Sequence, residues 1–308
     1  MVSKPLHGRD VISIRDLSKY EVISIFEEAN GLERYARSKT DLLRGKMMAF
    51  MFFEPSTRTK LSFEAAMKRL GGDVIGFEEP STTSMAKGES LIDTARVIEN
   101  YADIIVVRHP YEGAAKAIAE AVHVPVINAG SGALSHPTQA LIDMYSIWRE
   151  KGRIDGLTVL FYGDLKYSRS VRSLINGLLN FKVNFVFVSP EPLKLKEEVK
   201  EELGLLGIEY AEHTMLTEEA VRAADVIYVT RIQRERFADP MEYEKVRGSY
   251  RLTSRHLQNA KENLIVLHPL PRVDEVDVEL DKTPYAKYFK QVFYGLLVRM
   301  ALLKMILT

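Results

Sequence analysis

A chain of 308 residues that is 46% hydrophobic can bury a large core, and at roughly 100–200 residues per domain it reads as two domains. Lysine plus arginine and aspartate plus glutamate both total 42, so no overall field draws the chain to nucleic acid or to an anionic membrane. The absence of cysteine excludes disulfides, thiolate metal sites and a cysteine nucleophile, and the histidines show no close metal-ligand spacing.

No cofactor or metal is therefore expected. Residues 1–9 carry no apolar leader, which fits a cytoplasmic protein. The longest apolar stretch, 295–308, is interrupted by Arg299 and Lys304 and reads as a packed amphipathic helix rather than a membrane span.

In chain order, residues 46–53 predict a buried strand and 60–70 a helix stopped by Gly71 and Gly72. The run Phe52-Phe53-Glu54-Pro55-Ser56-Thr57-Arg58-Thr59 joins the two through hydroxyls and a guanidinium. Ser56 falls at the N-cap. The unpaired N–H groups of a helix start, the positive end of its dipole, the threonine hydroxyls and Arg58 then converge on a point that suits a phosphate. A capped helix start with no ligand fits these residues equally well, and the glycines of an ATP or dinucleotide loop are missing.

Strands at 73–77, 103–107 and 125–128 follow, separated by helices at 90–101 and 111–122, the alternation of right-handed parallel crossovers. A helix over 137–151 ends at Gly152 and Gly156, where the domain boundary is placed. Strands at 157–162, 183–188, 225–230 and 263–267 then alternate with helices at 170–180, 193–204 and 217–223. The last stretch, 288–307, has no strand to follow and is expected to return to the first domain. The fold class is α/β: two domains, each a mostly parallel sheet flanked by helices. Residues 1–135 with the tail 288–308 form one, 150–287 the other, and 136–149 an interdomain helix.

Open parallel sheets bind ligands beyond the carboxyl ends of their strands, and the polar motifs obey this. Residues 55–59 follow the first strand, Arg108-His109-Pro110 the third, 130–139 the fourth and 164–169 the fifth. Residues 230–233 follow a later strand and 268–272 the last.

These motifs carry a resemblance. Ser56-Thr57-Arg58-Thr59, His136-Pro137-Thr138-Gln139, Asp164-Leu165-Lys166-Tyr167-Ser168-Arg169, Thr230-Arg231-Ile232-Gln233 and His268-Pro269-Leu270-Pro271-Arg272 fall in the order of the aspartate and ornithine transcarbamylase family, which the chain resembles over nearly its whole length. Ornithine enzymes usually place cysteine where this chain has Thr138 and Pro269. Arg231 and Gln233 also suit a second carboxylate, where a cationic amine would need an acid. The resemblance thus implies carbamoyl transfer from carbamoyl phosphate to the α-amine of L-aspartate, an early step of pyrimidine biosynthesis. Another amine such as ornithine, or a non-catalytic phosphate-ligand-binding paralogue, is the alternative.

Position by position, the resemblance implies that Ser56, Thr57, Arg58 and Thr59 hold the phosphate and that Arg108 bridges phosphate and carbonyl. Thr59, Arg108 and His136 would polarise the carbonyl oxygen. Gln139 and the carbonyl of Leu270, in a cis turn with Pro271, would take the carbamoyl amide. Arg169, Arg231 and Gln233 would take the carboxylates of aspartate. Ser84 and Lys87 lie in a loop that in this family reaches the neighbouring subunit's site, which implies a homotrimer with shared active sites. Here the loop is one residue shorter than in members with paired lysines, and Lys87 beside Gly88 is the functional candidate. Some family members add nucleotide-binding regulatory chains, a point that the sequence leaves open.

Overall fold

The computed structural model describes residues 6–79, 81, 83–132, 135–232, 237, 239–246 and 250–308. The chain divides into two compact units, one running to Ile142 and taking in Phe293–Thr308, the other Asp143–Val292.

In the first unit, α1 (Lys19–Leu32) starts from a capping box: the Ser18 hydroxyl accepts from the amide of Glu21, whose carboxylate accepts from the amide of Ser18. There follow β1 (Met47–Phe52), α2 (Thr57–Arg69), β2 (Asp73–Phe77), α3 (Leu91–Ile98), β3 (Ile104–His109), α4 (Ala114–Ala121) and β4 (Val126–Ser131). The sheet order is β2-β1-β3-β4 and every pairing is parallel. Strands β1 and β3 are buried almost throughout, the unalternating apolar pattern of central parallel strands. Ala49, Met51, Ile105, Val107, Ile118 and Val126 share one core.

In the second unit, β5 (Thr158–Gly163), α6 (Arg169–Leu178), β6 (Asn184–Val188), α7 (Glu197–Leu205), β7 (Tyr210–His213), α8 (Glu218–Ala223), β8 (Val226–Thr230), α9 (Pro240–Val246) and β9 (Ile265–Leu267) form a sheet of order β7-β6-β5-β8-β9, again all parallel. The chain passes between the units within α5 (Pro137–Lys151) and α10 (Tyr288–Leu307).

Both sheets reverse direction once. In the first, β1 is followed by β2 on one side and later by β3 on the other. In the second, β5 has β6 on one side and β8 on the other. The two connections leaving such a strand pair run apart, which opens a crevice at the carboxyl ends between β1 and β3 and another between β5 and β8.

Besides α1 and α9, where no helix was expected, three elements differ from expectation. The edge strand β7 has no apolar alternation in its sequence, Tyr210-Ala211-Glu212-His213, and only pairing with β6 reveals it. Helix α7 starts at Glu197 rather than 193, because Lys194 and Lys196 are extended, and Glu197 and Glu198 supply the acidic first turn that a helix dipole favours. Helix α10 is not amphipathic along its second half, where all residues from Val298 to Leu303 are buried, as for a helix apolar all round. The two charges of that half are met by side chains of α1 and α2. The Arg299 guanidinium lies 4.9 Å from the centre of the Phe63 ring, and Lys304 Nζ is 2.7 Å from Glu28 Oε1.

Gly163 shows how tightly the β5–β8 switch point is closed. Its φ is +116° and an added Cβ would lie 2.2 Å from the carbonyl oxygen of Thr230, its register partner. Gly163→Ala should therefore lower the urea-unfolding free energy by about 1–3 kcal/mol, the usual range for overpacking; an unchanged midpoint would contradict this account of the strand contact.

Candidate functional site

In the first unit, three adjacent strands deliver the expected phosphate and carbonyl ligands to one rim. Strand β1 ends at Phe52 and α2 begins at Thr57, with Ser56 at the N-cap position. Ser56 makes no side-chain capping bond there, and the first turn holds no acidic residue, so nothing within the helix neutralises the positive end of its dipole. Thr57 and Arg58 are exposed, Ser56 is half-buried, and Thr59 is buried.

Arg108 is the register partner of Phe52, across the β1–β3 switch point. Its guanidinium is anchored at Nη2 by Glu54 Oε1 at 2.6 Å and at Nη1 by the Ala129 carbonyl at 3.2 Å. Glu54 lies inside the strand–helix junction, and sequence reasoning gave it no role. Its acidic side chain beside a conspicuous run of hydroxyls and arginine was the available signal.

His136 stands where α5 begins, its carbonyl accepting from the amide of Ala140 as an N-cap carbonyl does. The buried imidazole places Nδ1 3.3 Å from the Thr138 hydroxyl, and Gln139 follows in the first turn, half-buried. The loop after β4 is tied to the end of β3, the Gly132 amide donating to the His109 carbonyl at 3.1 Å. His109 points inward: its Nδ1 accepts from the Tyr111 amide, and burial holds its pKa below the ordinary value, so it is neutral.

Ser84 and Lys87 form a short 3₁₀ turn capped by Thr83 and closed by Gly88 at φ +95°. Both are exposed, and among the described residues the Lys87 ammonium has no hydrogen-bond or ion-pair partner in its own chain. The structure does not bring them to the β1–β3 rim through any contact of their side chains among the described residues.

In the second unit the pattern repeats. Arg169 is the first residue of α6, and Arg231 follows the last residue of β8; β5 and β8 are neighbours and Gly163 pairs with Thr230. Both arginines are half-buried. Between β5 and α6, Asp164 is fully buried, and its Oδ1 accepts from the amides of Lys166 and Tyr167, which folds the loop that presents Arg169. Thr230 Oγ1 donates to the Asp164 carbonyl at 3.0 Å and joins that loop to the strand carrying Arg231. Gln233 lies outside the described residues.

Leu270 and Pro271 follow β9, the next strand over, joined by a cis peptide bond, and Leu270 has φ 56°. Behind this turn lies a buried polar network. Glu275 Oε2 accepts from the amides of Val273 and Asp274, and Oε1 lies 2.6 Å from His268 Nε2. The His268 amide donates to Gln291 Oε1, Gln291 Nε2 donates to Asp143 Oδ1 at 2.6 Å, and the Tyr228 hydroxyl donates to Asp143 Oδ2 at 2.8 Å. Burial and the Asp143 charge hold the Tyr228 phenol well above its usual pKa, which keeps it a donor. Glu275, Asp143, Tyr228 and Gln291 were not singled out in the sequence. No short-range pattern could have found them, since Asp143 and Gln291 are 148 residues apart.

Two all-parallel sheets, each with cationic side chains at its switch point, define an α/β protein built to hold anions. The chain belongs to the aspartate/ornithine carbamoyltransferase family: residues 9–149 match the model of the carbamoyl-P binding domain and 155–306 that of the Asp/Orn binding domain. It is 55% identical over 300 residues to the aspartate carbamoyltransferase catalytic subunit of Pyrobaculum islandicum, covering 97% of this chain and 98% of that one. The catalytic subunit of aspartate transcarbamoylase from M. jannaschii is 52% identical, with a TM-score of 0.89 over 96% of this chain and 97% of that one. Aspartate transcarbamoylase from Trypanosoma cruzi, in complex with N-(phosphonacetyl)-L-aspartic acid, is 36% identical, with a TM-score of 0.92 over 99% and 98%.

Glu275 provides a test of the buried network. Desolvation alone would raise its carboxyl pKa, but the bond from His268 and those from backbone amides outweigh it, and the net pKa is lowered. A carboxyl with a depressed folded-state pKa contributes stability that is fully present above its unfolded value, about 4.3, and is lost as pH falls through the folded value. The stability difference between the wild type and Glu275→Gln, read as urea midpoints, should be largest near neutral pH and shrink below about pH 4.3. A difference independent of pH would show that the carboxylate charge plays no part.

Proposed function

We propose that the chain catalyses attack of the α-amine of L-aspartate on the carbonyl carbon of carbamoyl phosphate, giving N-carbamoyl-L-aspartate and phosphate in pyrimidine biosynthesis. The single observation that carries this is the β1–β3 switch point, where an uncapped, acid-free helix start, Arg58 and Arg108 meet at one rim. A second cationic pair, Arg169 and Arg231, marks the β5–β8 switch point and suits a dicarboxylate. The ammonium of ornithine would meet like charge there.

Ser56, Thr57, Arg58 and Thr59 hold the phosphate. Arg108 spans phosphate and carbonyl, and Thr59 and His136 join it on the oxyanion that forms when the amine adds. Gln139 and the Leu270 carbonyl accept from the carbamoyl amide, next to Pro271. Arg169, Arg231 and Gln233 hold the aspartate carboxylates. As the tetrahedral intermediate collapses, the bond from carbon to the phosphate oxygen breaks and the departing phosphate carries away the amine's proton. The residues supply binding, orientation and preorganised charge, and no group is borrowed from a cofactor.

Arg108 is already matched with Glu54 before any substrate charge is considered. Phosphate therefore competes with, or shares, a carboxylate, which moderates the cost of gathering arginines in one place. Ser84 and Lys87, exposed and turned to solvent, serve a neighbouring copy in a cytoplasmic homotrimer, to which a regulatory chain could add.

The direct test is carbamoyl transfer to aspartate against ornithine. Aspartate should be the better acceptor, and Arg58→Ala should lower kcat/KM by about two to three powers of ten, the cost of losing one preorganised donor. Arg58→Lys should rescue little of it, because an ammonium lacks the planar fork that grips phosphate at two points. Preference for ornithine would overturn the reading.

Sharing of sites has its own test. Lys87→Ala and His136→Ala chains should each be nearly inactive alone. Mixed trimers should regain activity, because some sites then draw both groups from unaltered positions. A mixture no more active than its parts would show that each chain is self-sufficient.

A further inference from the structure

His268 is placed in the turn that carries Leu270, and its hydrogen bonds define its protonation. The amide of Leu270 donates to His268 Nδ1 at 2.8 Å. A backbone amide can only donate, so Nδ1 carries no proton and the ring's single proton sits on Nε2, where it is donated to Glu275 Oε1 at 2.6 Å. The pair is thus a carboxylate and a neutral imidazole. The ring is almost wholly buried, its side chain 1% exposed, and the His268 amide is held separately by Gln291. Two handles fix the residue, and it cannot turn without breaking one of them.

Glu275 closes the other end of the same turn. Its second oxygen accepts from the amides of Val273 and Asp274. One buried carboxylate therefore anchors the chain just after Arg272 directly and just before the Leu270 carbonyl through the imidazole. Arg272 itself is turned to Asp281, at 2.5 and 2.6 Å, and takes no part in the clamp. Between the two anchors Leu270 is held at φ 56°, a conformation that leucine seldom adopts unaided.

We propose that His268, oriented by Glu275, is a positioning residue that aims the Leu270 carbonyl at the carbamoyl amide and so selects a carbamoyl over an acyl phosphate. This rests on the reading above that the Leu270 carbonyl accepts from that amide. Carbamoyl and acetyl phosphate differ in an NH₂ against a methyl group of similar size. A fixed acceptor rewards the first and is left unpaired by the second, the asymmetry by which polar sites reject analogues lacking a donor.

The test uses the ratio of kcat/KM for carbamoyl phosphate to that for acetyl phosphate, with aspartate as acceptor. The fraction of folded enzyme cancels in this ratio. His268→Asn keeps an acceptor near the Nδ1 position and loses the reach to Glu275. His268→Gln keeps that reach and loses the acceptor. The ratio should fall at least about fivefold in His268→Gln, roughly the factor carried by one hydrogen bond, and should stay nearer the wild-type value in His268→Asn. A residue that only fills space or satisfies Glu275 would give the opposite order.

The proposal is overturned if His268→Gln keeps the wild-type ratio, or if His268→Asn falls as far as His268→Gln. Should His268→Gln fail to fold, His268→Ala, which removes the acceptor of the Leu270 amide altogether, must lower the ratio in its place, and an unchanged ratio there is equally fatal. Failure of the unaltered protein to transfer a carbamoyl group to aspartate would sink the functional reading instead. Normal wild-type transfer with an undiminished ratio in the variants sinks this inference alone.

Discussion

A parallel sheet whose strand order reverses leaves one pair of neighbouring strands with connections that depart in opposite directions, and no backbone covers the carboxyl ends between them. This constraint operates twice here, between β1 and β3 and between β5 and β8. At each place the chain spends its polar residues. Helices α2 and α6 begin just beyond β1 and β5, neither with an acidic residue in its first turn and neither with a side-chain cap. Arg58 and Arg169 occupy the second and first helical positions, where a cation opposes the positive end of the dipole. Such placement costs stability in isolation and is offset when an anion joins both the arginine and the free N–H groups.

The two units solve the resulting charge problem differently. In the first, Arg108 is held by Glu54 and by the Ala129 carbonyl, so this cation at the β1–β3 rim has a carboxylate beside it although the chain as a whole is neutral. A partly exposed pair of this kind is weak in stability terms, and its value lies in fixing the guanidinium in place. In the second, two acids are buried in the network behind the turn after β9. Asp143 and Glu275 are fully occupied by donors from Tyr228, Gln291, His268 and two backbone amides.

Those buried acids cross-link parts of the second unit. Asp143, in the middle of the connecting helix α5, ties it to strand β8 and to the start of α10, and Gln291 carries the link on to the turn after β9. Removing one partner would leave a buried charge or donor unmatched, a penalty larger than the gain from making the bond in the first place. The turn at residues 268–275 is consequently anchored by hydrogen bonds at both ends although it lies outside regular secondary structure, and a backbone carbonyl can serve as a recognition group only if it is held in this way.

Much of this architecture was legible in the residues themselves. Apolar runs of strand length, glycines at helix ends and the helix-to-strand alternation placed the sheet strands other than β7 and most helices, because those signals are local and repeat with a fixed period. Ser56–Thr59 could be read as an anion site for the same reason, since they follow an apolar strand where a helix begins, whereas the role of Arg108 came from the family resemblance. The capping box of Ser18 and Glu21 was equally local, although α1 was not read from it. The order of strands within each sheet was not legible, nor was the pairing of Arg108 with Glu54, of His268 with Glu275, or of Asp143 with both Tyr228 and Gln291. Strand order is decided by which apolar faces pack once the whole chain collapses. A hydrogen bond between residues 85 or 148 positions apart leaves no trace in either neighbourhood, so only the tertiary structure could decide them.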